Sequence, residues 1–317
     1  MRQLALIGLV AAVVTLAGCG GSDDKIFTIN LTGADIYALT IDSGQVTRLT
    51  DNAAEDYGAV FSPDDAKIAF TSNRDGNTHI YVMDADGENE TRVGTNPAND
   101  WEPTWSPDGT RIAFVSDRDG NPELYVMNAD GTEVQRLTDN AAKDWEPAWE
   151  PGGKTLLFSS NRDGDFDIYA LEVPDPPAAE TAQNQVETPT YPAVTALTND
   201  SENNTHPAWS ADADSVVYFS SVNGGTMWFM SSTGGSKRQA SVNAWPHSGF
   251  TWSENDQVAY AREIGTSNPV IWLMTPKGNS KLDALKPTTT QADGHPSWSS
   301  DAETLLFTRW TRTETPY

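Results

Sequence analysis

Two glutamates and several histidines recur at one register position. The chain of 317 residues has four His. Three of them, His206, His247 and His295, fall at or beside the position three residues before a recurring aromatic. In chain order that position holds Gly58, Glu102, Glu146, His206, Gly249 and His295. Carboxylate oxygens and imidazole nitrogens gathered around one opening are ligands for a divalent transition ion such as Zn²⁺ or Mn²⁺. Glu102, Glu146, His206 and His295 are the candidate metal ligands. Each of the four is followed by proline, so the pattern also fits a habit of the repeat that lines a water-filled channel without metal.

Aromatic residues accompany this register. Tyr57, Trp101 and Trp145 directly precede Gly58, Glu102 and Glu146, and Trp245 lies further along. Exposed rings near an opening are platforms for a peptide or a sugar; packing between neighbouring repeats is the other reading. The candidate ligand-binding residues are therefore Tyr57, Trp101, Glu102, Trp145, Glu146, His206, Trp245, His247 and His295. No catalytic residue is assigned. The chain has no Gly-x-Ser-x-Gly elbow. Gly152-Gly153-Lys154-Thr155 lacks the first glycine of a phosphate loop. Asp84-Ala85-Asp86-Gly87 and Asp163-Gly164-Asp165-Phe166-Asp167 lack the full ligand spacing of a Ca²⁺ loop and read as turns.

The elements that position these residues repeat. The aromatics are Phe61, Trp105, Trp149, Trp209, Trp252 and Trp298, at spacings of 44, 44, 60, 43 and 46 residues. Each ends a short strand. A turn such as Ser106-Pro107-Asp108-Gly109 follows, in which Pro presets φ and Gly accepts a positive φ. Ile112–Ser116, Leu124–Met127 and Val134–Thr138 supply three more strands, separated by Asp117–Asn121 and Asn128–Gly131. Four strands in about 44 residues make a propeller blade. Arg74, Arg118 and Arg162 recur before Asp-Gly, and the recurrence predicts a structural role, hydrogen bonding to the neighbouring blade.

The last repeat contributes only two strands, ending at Leu305–Trp310. The chain starts with the missing half, Asp35–Thr40 and Gly44–Thr50. Tyr37 lies 24 residues before Phe61, as Tyr81 does before Trp105 and Tyr125 before Trp149. The expectation is an all-β, six-bladed propeller with four-stranded blades. One blade is closed by the N- and C-terminal halves, which removes a free sheet edge. The long interval holds a Pro-rich insertion, residues 174–192, in place of a third-to-fourth-strand turn.

The strings Ser106-Pro107-Asp108-Gly109, Ile112-Ala113-Phe114, Arg118-Asp119-Gly120-Asn121 and Leu124-Tyr125-Val126-Met127-Asn128-Ala129-Asp130-Gly131 resemble the TolB-type propeller repeat. The likeness covers roughly residues 34 to 310. It weakens around Trp252 and Trp298. TolB carries an α/β domain ahead of its propeller; the short stretch before Asp35 leaves no room for one, so the resemblance implies the propeller alone and no place in the Tol–Pal system. It implies a non-catalytic docking platform for an envelope protein or peptide. The alternative is a metal-dependent, lyase-like enzyme acting on polysaccharide, or a glycan-binding protein, because some oligogalacturonate lyases use similar propellers with a His-held metal. A peptidase propeller is a third reading, without its hydrolase domain.

Residues 1–18 read as a signal peptide: Arg2, then an apolar run from Leu4 to Leu16 too short to span a bilayer. Leu16-Ala17-Gly18-Cys19 resembles a bacterial lipobox, which implies cleavage before Cys19 and lipidation of its thiol. Cys19 is the only cysteine, so no intrachain disulfide forms. The expected organisation is signal peptide 1–18, lipidated Cys19 and tether 19–33, and propeller 34–317. Gly20 in place of Asp favours the outer membrane, facing the periplasm. The net charge of −25 repels phosphate backbones and anionic lipid heads. Nucleic acid is excluded as a partner, membrane contact is expected through the lipid only, and a monomer is expected.

Overall fold

A computed structural model describes residues 14–15, 27–175, 190–222, 225–240, 249–262, 269–275, 278–282 and 291–316. These residues form six sheets and no α-helix. Blade 1 is the split one. Its first two strands are C-terminal, Gln291–Trp298 and Thr304–Pro316, and its last two are N-terminal, Phe27–Thr40 and Gln45–Arg48. Blades 2 to 6 begin with the inner strands Asp56–Phe61, Asp100–Trp105, Asp144–Trp149, Asn204–Trp209 and Phe250–Trp252. Each blade is an antiparallel meander. The six-bladed architecture and its closure by the chain ends are as the repeat predicts.

The split blade runs past its expected limits. Phe27–Thr32 pairs with Thr311–Pro316, beyond the blade proper, after a register shift between Thr32 and Asp35. Val14–Thr15 pairs with Thr28 and Ile29. The aromatic alternation that marks a blade strand stops at Asp35 and Trp310, but backbone pairing needs no such pattern. The insertion does replace a third-to-fourth-strand connection, between Asp167–Glu172 and Val194–Ala196; residues 176–189 lie outside the described set.

The core is divided among the blade interfaces. Six clusters of buried side chains each join two neighbouring blades. Second strands supply the middle of each sheet: Phe70, Phe114, Phe158 and Phe307 are fully buried. The N-terminal strand reaches both of its neighbours. Leu39 packs with Ala259 and Leu273 of blade 6, and Ile36 packs with Ile68 and Phe70 of blade 2. Burying one such side chain contributes about 1.5–3 kcal/mol, so each interface is a substantial share of a marginal total.

The recurring Arg-Asp-Gly is structural, but it acts inside its own blade. Arg118 pairs with buried Asp100 at 2.8 Å, and Arg162 pairs with Asp144 at 3.0 Å. Arg74 does the same with Asp56, and Arg309 with Asp293. Each guanidinium also stacks over an aromatic of its own sheet, as Arg118 does over Phe114 and Tyr125. The following aspartate accepts from that tyrosine: Tyr81 Oη donates to Asp75 and Tyr169 Oη to Asp163, both at 2.5 Å. The expected bond to the neighbouring blade is thus replaced by one to the start of the inner strand. The turn brings the second-strand end back over that position, eighteen residues away in sequence.

Deleting Leu305–Tyr317 removes the second strand of blade 1 and exposes both adjoining clusters. The expected result is loss of a single cooperative thermal transition in circular dichroism, with the midpoint falling by well over 10 °C. An unchanged midpoint would contradict closure by the chain ends.

Candidate functional site

Five of the six inner strands carry an irregularity at the predicted register. The ladder shifts between Tyr57 and Val60, Trp101 and Thr104, Trp145 and Ala148, Thr205 and Ala208, and Gly294 and Ser297. These are β-bulges, which re-aim a side chain out of the ladder. The residue at each bulge takes a positive φ: 63° at Gly58, 54° at Glu102, 59° at Glu146, 54° at His206 and 48° at His295. Gly249 has the same conformation, at 65°. Glycine adopts it freely, whereas a residue with a Cβ costs of order 1–3 kcal/mol there. Two blades use the inexpensive residue. Four carry Glu or His against that cost, so their side chains must return something.

Part of the return is blade-to-blade bonding. The amides of Gly58, Glu102, Glu146 and His206 donate to the preceding blade. Gly58 N donates to Thr308 Oγ1 and Glu102 N to Thr71 Oγ1, both at 3.2 Å. Blade 3 has Val115 at the equivalent place, with no hydroxyl. There Glu102 itself supplies the acceptor, taking the Glu146 amide on Oε2 at 2.9 Å. Glu146 Oε2 accepts the His206 amide at 2.7 Å and Ser159 Oγ at 2.6 Å. Glu146 Oε1 meets His206 Nε2 at 3.0 Å, and His206 Nδ1 lies 3.0 Å from Thr205 Oγ1.

Glu102, Glu146 and His206 therefore form one connected row on blades 3, 4 and 5. Burial raises the Glu146 carboxyl, but the His206 imidazole beside it outweighs this and keeps the carboxyl below its ordinary range. Although burial opposes it, the two carboxylates raise His206 above the usual histidine value. Glu102 lies beyond this pair. Burial first, and the neighbouring Glu146 charge second, push its carboxyl up to about 7.

The other predicted residues lie apart from the row. His295, on blade 1, has its ring 6.2 Å from that of Tyr57 and 5.2 Å from that of Trp310. Burial, with Glu102 and Glu55 nearby, raises the Tyr57 phenol above its ordinary value. Trp101 and Trp145 pack against the cluster between blades 3 and 4, and Trp145 stacks on Phe166 at 5.6 Å. Neither lines the channel. Trp245 and His247 lie outside the described residues. Among the described residues no three His, Cys, Asp or Glu side chains converge as a metal would need. A divalent ion at the row would have to break the Glu146–His206 pair.

The row faces a central channel of about 510 Å³. At one end its wall is the bulged ring, Gly58 through His295. At the other it reaches the first-to-second-strand turns, including Pro63, Pro151 and Ser300. All six repeat aromatics, Phe61, Trp105, Trp149, Trp209, Trp252 and Trp298, line it. Sequence spacing identifies these rings as repeat markers but does not place them on the channel wall. Likewise the bulge was missed, although two glycines among six equivalent positions signalled a left-handed conformation. Among the described residues the wall contains Asp65, Glu102, Glu146 and Glu254 but no Lys or Arg.

Known proteins share this architecture. The family described as TolB beta propeller domain matches residues 21–102 and 95–192. A structure assigned as TolB from Agrobacterium tumefaciens superposes with a TM-score of 0.68 at 19% identity, covering 87% of this chain and 98% of that one. TolB from Acinetobacter baumannii gives 0.62 at 19% identity, covering 88% of this chain and 63% of its own. An oligogalacturonate lyase in complex with manganese gives 0.53 at 11% identity, covering 96% and 97%. At these identities the likeness is one of fold. No curated protein sequence matches the chain.

The raised carboxyl of Glu102 makes a stability prediction. Between its ordinary value of 4.5 and about 7, the folded chain binds a proton that the unfolded chain releases. This contribution is full below pH 4.5 and is lost as pH rises through 7. Glu102→Gln keeps the carbonyl acceptor and removes the charge. Its Tm should match the parent's at pH 5 and exceed it by roughly 5 °C at pH 8. A pH-independent difference would show that Glu102 titrates normally.

Proposed function

The chain belongs to the TolB beta propeller domain family, and from that premise we propose that it is a non-catalytic platform that docks a protein or peptide segment in its central channel. One observation carries the reading. Among the described residues the only exposed large hydrophobics are Val46 and Val134, while the channel wall carries the edges of six aromatic rings, of which Trp105, Trp149 and Trp298 are otherwise buried between blades, and a fixed Glu–Glu–His row. The outer surface offers no apolar anchor site. The channel offers a concave one with a few oriented polar groups, the usual make-up of a binding pocket. The row is engaged in holding blades together, and rigidity of this kind lowers the ordering cost of binding.

The protein is read as a lipoprotein of the bacterial cell envelope, anchored through Cys19 at the outer membrane and facing the periplasm. The Leu16-Ala17-Gly18-Cys19 string and Gly20 support this placement. An acidic polysaccharide is a poor occupant. Among the described residues four acidic side chains and no Lys or Arg line the wall, so a polyanion would enter uncompensated by them.

Photo-crosslinking from inside the channel tests the platform. A photoreactive residue at Ser297, on the channel wall, should trap one defined envelope protein in growing cells. The same group at Glu133, on an outer turn, should not, and adding Glu102→Gln/His206→Asn should reduce the Ser297 adduct at least fivefold. Identical adducts from both positions would remove the channel from the function.

A further inference from the structure

The split blade bears on how the propeller faces its membrane. Inner strands run from the bulged ring towards the first-to-second-strand turns. The third strand of a blade is parallel to its first, because each is antiparallel to the second. Phe27–Thr40, third in blade 1, therefore enters at the ring face, and Thr304–Pro316 leaves there. Asp35 and Asp293 both pair with Arg309. Asp293 stands two residues before the bulge, as do Asp56, Asp100 and Asp144, which begin their inner strands. Everything N-terminal to Asp35 on this strand thus lies past the ring-side edge. Once cleavage before Cys19 removes Val14–Thr15, which otherwise pairs with Thr28 and Ile29, Phe27–Thr32 and Thr311–Pro316 form a two-stranded ribbon on that side.

We infer that this ribbon turns the ring face towards the anchoring membrane and presents the opposite, turn-side mouth, with its aromatic wall, outward to the partner. The inference rests on the lipid-anchor reading of Cys19. A length comparison supports it. The eight residues from Cys19 to Phe27 reach at most about 29 Å when fully extended. The ribbon adds roughly 20 Å beyond the ring face, and the blade strands are roughly 20 Å long. To lay the turn face on the bilayer, the tether would have to run back past both, about 40 Å. It is too short for that, whereas the ring-face-inward arrangement needs no detour. The acidic chain is held off anionic head groups by the same ribbon.

This orientation defines the kind of partner. It is a protein segment that arrives from the compartment side, either soluble or attached to a structure across from the anchoring leaflet. A short protein embedded in that leaflet would meet the ring face, where the bulged Glu and His residues bound the channel, rather than the turn-side mouth.

The test uses the full chain, exported and lipidated through its own leader, then reconstituted in phosphatidylcholine vesicles that contain a spin-labelled head-group lipid. With Cys19 acylated, a thiol-reactive dye reports one added cysteine. Asn77→Cys places it in the exposed ring-side turn of blade 2, and Thr110→Cys in the exposed turn-side hairpin of blade 3. Head-group quenching should be at least threefold stronger for Asn77→Cys. Equal quenching, or stronger quenching of Thr110→Cys, overturns the orientation and leaves the anchor and the docking channel standing. Failure of the chain to float with vesicles overturns the anchor and the orientation together. Neither result depends on the Ser297 crosslink, so the docking reading stands or falls separately.

Discussion

The antiparallel pairing of Phe27–Thr40 with Thr304–Pro316 holds the rest in place. A propeller blade is a small twisted sheet whose two faces are both apolar, and each face needs a neighbour. Six blades around a closed ring satisfy twelve faces. Leave the ring open and two faces meet water, with two more strand edges unpaired. The strand joining the ends contributes Ile36 to one interface and Leu39 to the other. Closure is therefore paid for by side chains as well as by backbone bonds. Its entropic cost is that of one very long loop, which grows only with the logarithm of length.

The channel follows from that closure. Inner strands are crowded at the axis, and regular pleating would direct alternate side chains only towards neighbouring blades. The bulge breaks this alternation once per blade and turns one residue towards the axis. Amides displaced by the bulge need acceptors, and the blades solve this in two ways. Where the second strand of the preceding blade has threonine, as at Thr308 and Thr71, a hydroxyl serves. Where it has Val115, and also where Ser159 donates its hydroxyl to Glu146 instead, the carboxylate of the preceding bulged residue serves. One group is then both a structural tie and a channel-facing polar atom. That double duty explains why Glu102 and Glu146 occupy a backbone conformation that glycine would adopt without cost.

Much of this was legible in the sequence, for a physical reason. Blade number, register and closure depend on turn chemistry and on a fixed repeat length, and both are local. Glu102, Glu146 and His206 were visible as one ring because equivalent positions in a closed repeat converge on its axis. Their partners were not visible. Which oxygen accepts which amide depends on contacts between blades, and sequence spacing carries no distance across an interface. Trp101 and Trp145 show the same limit. Their polar flanks and their place beside the ring favoured an exposed platform equally with packing; in the structure both are partly buried against the cluster between blades 3 and 4, and Trp145 stacks on Phe166 of its own blade. The arginines illustrate the reverse error. Recurrence correctly marked them as structural, yet the hairpin returns each to its own inner strand, a nearer partner than the next blade.

The electrostatics of the row give the channel its character. A buried carboxylate beside a charged pair has three ways to lower its energy: take a proton, borrow a counter-ion, or accept hydrogen bonds. Glu146 has the last two, from His206 and from Ser159 with the His206 amide. Glu102 has one amide bond and no cation of its own, and accordingly its carboxyl rises to about 7. Near neutral pH it is poised between states, so an occupant that brings a positive or hydrogen-donating group would settle it as a carboxylate, and an anionic occupant would drive it to the acid. Any binding there would then be linked to protonation through one residue. The sign of that linkage favours donors over anions in a channel whose wall, among the described residues, contributes acids and no Lys or Arg.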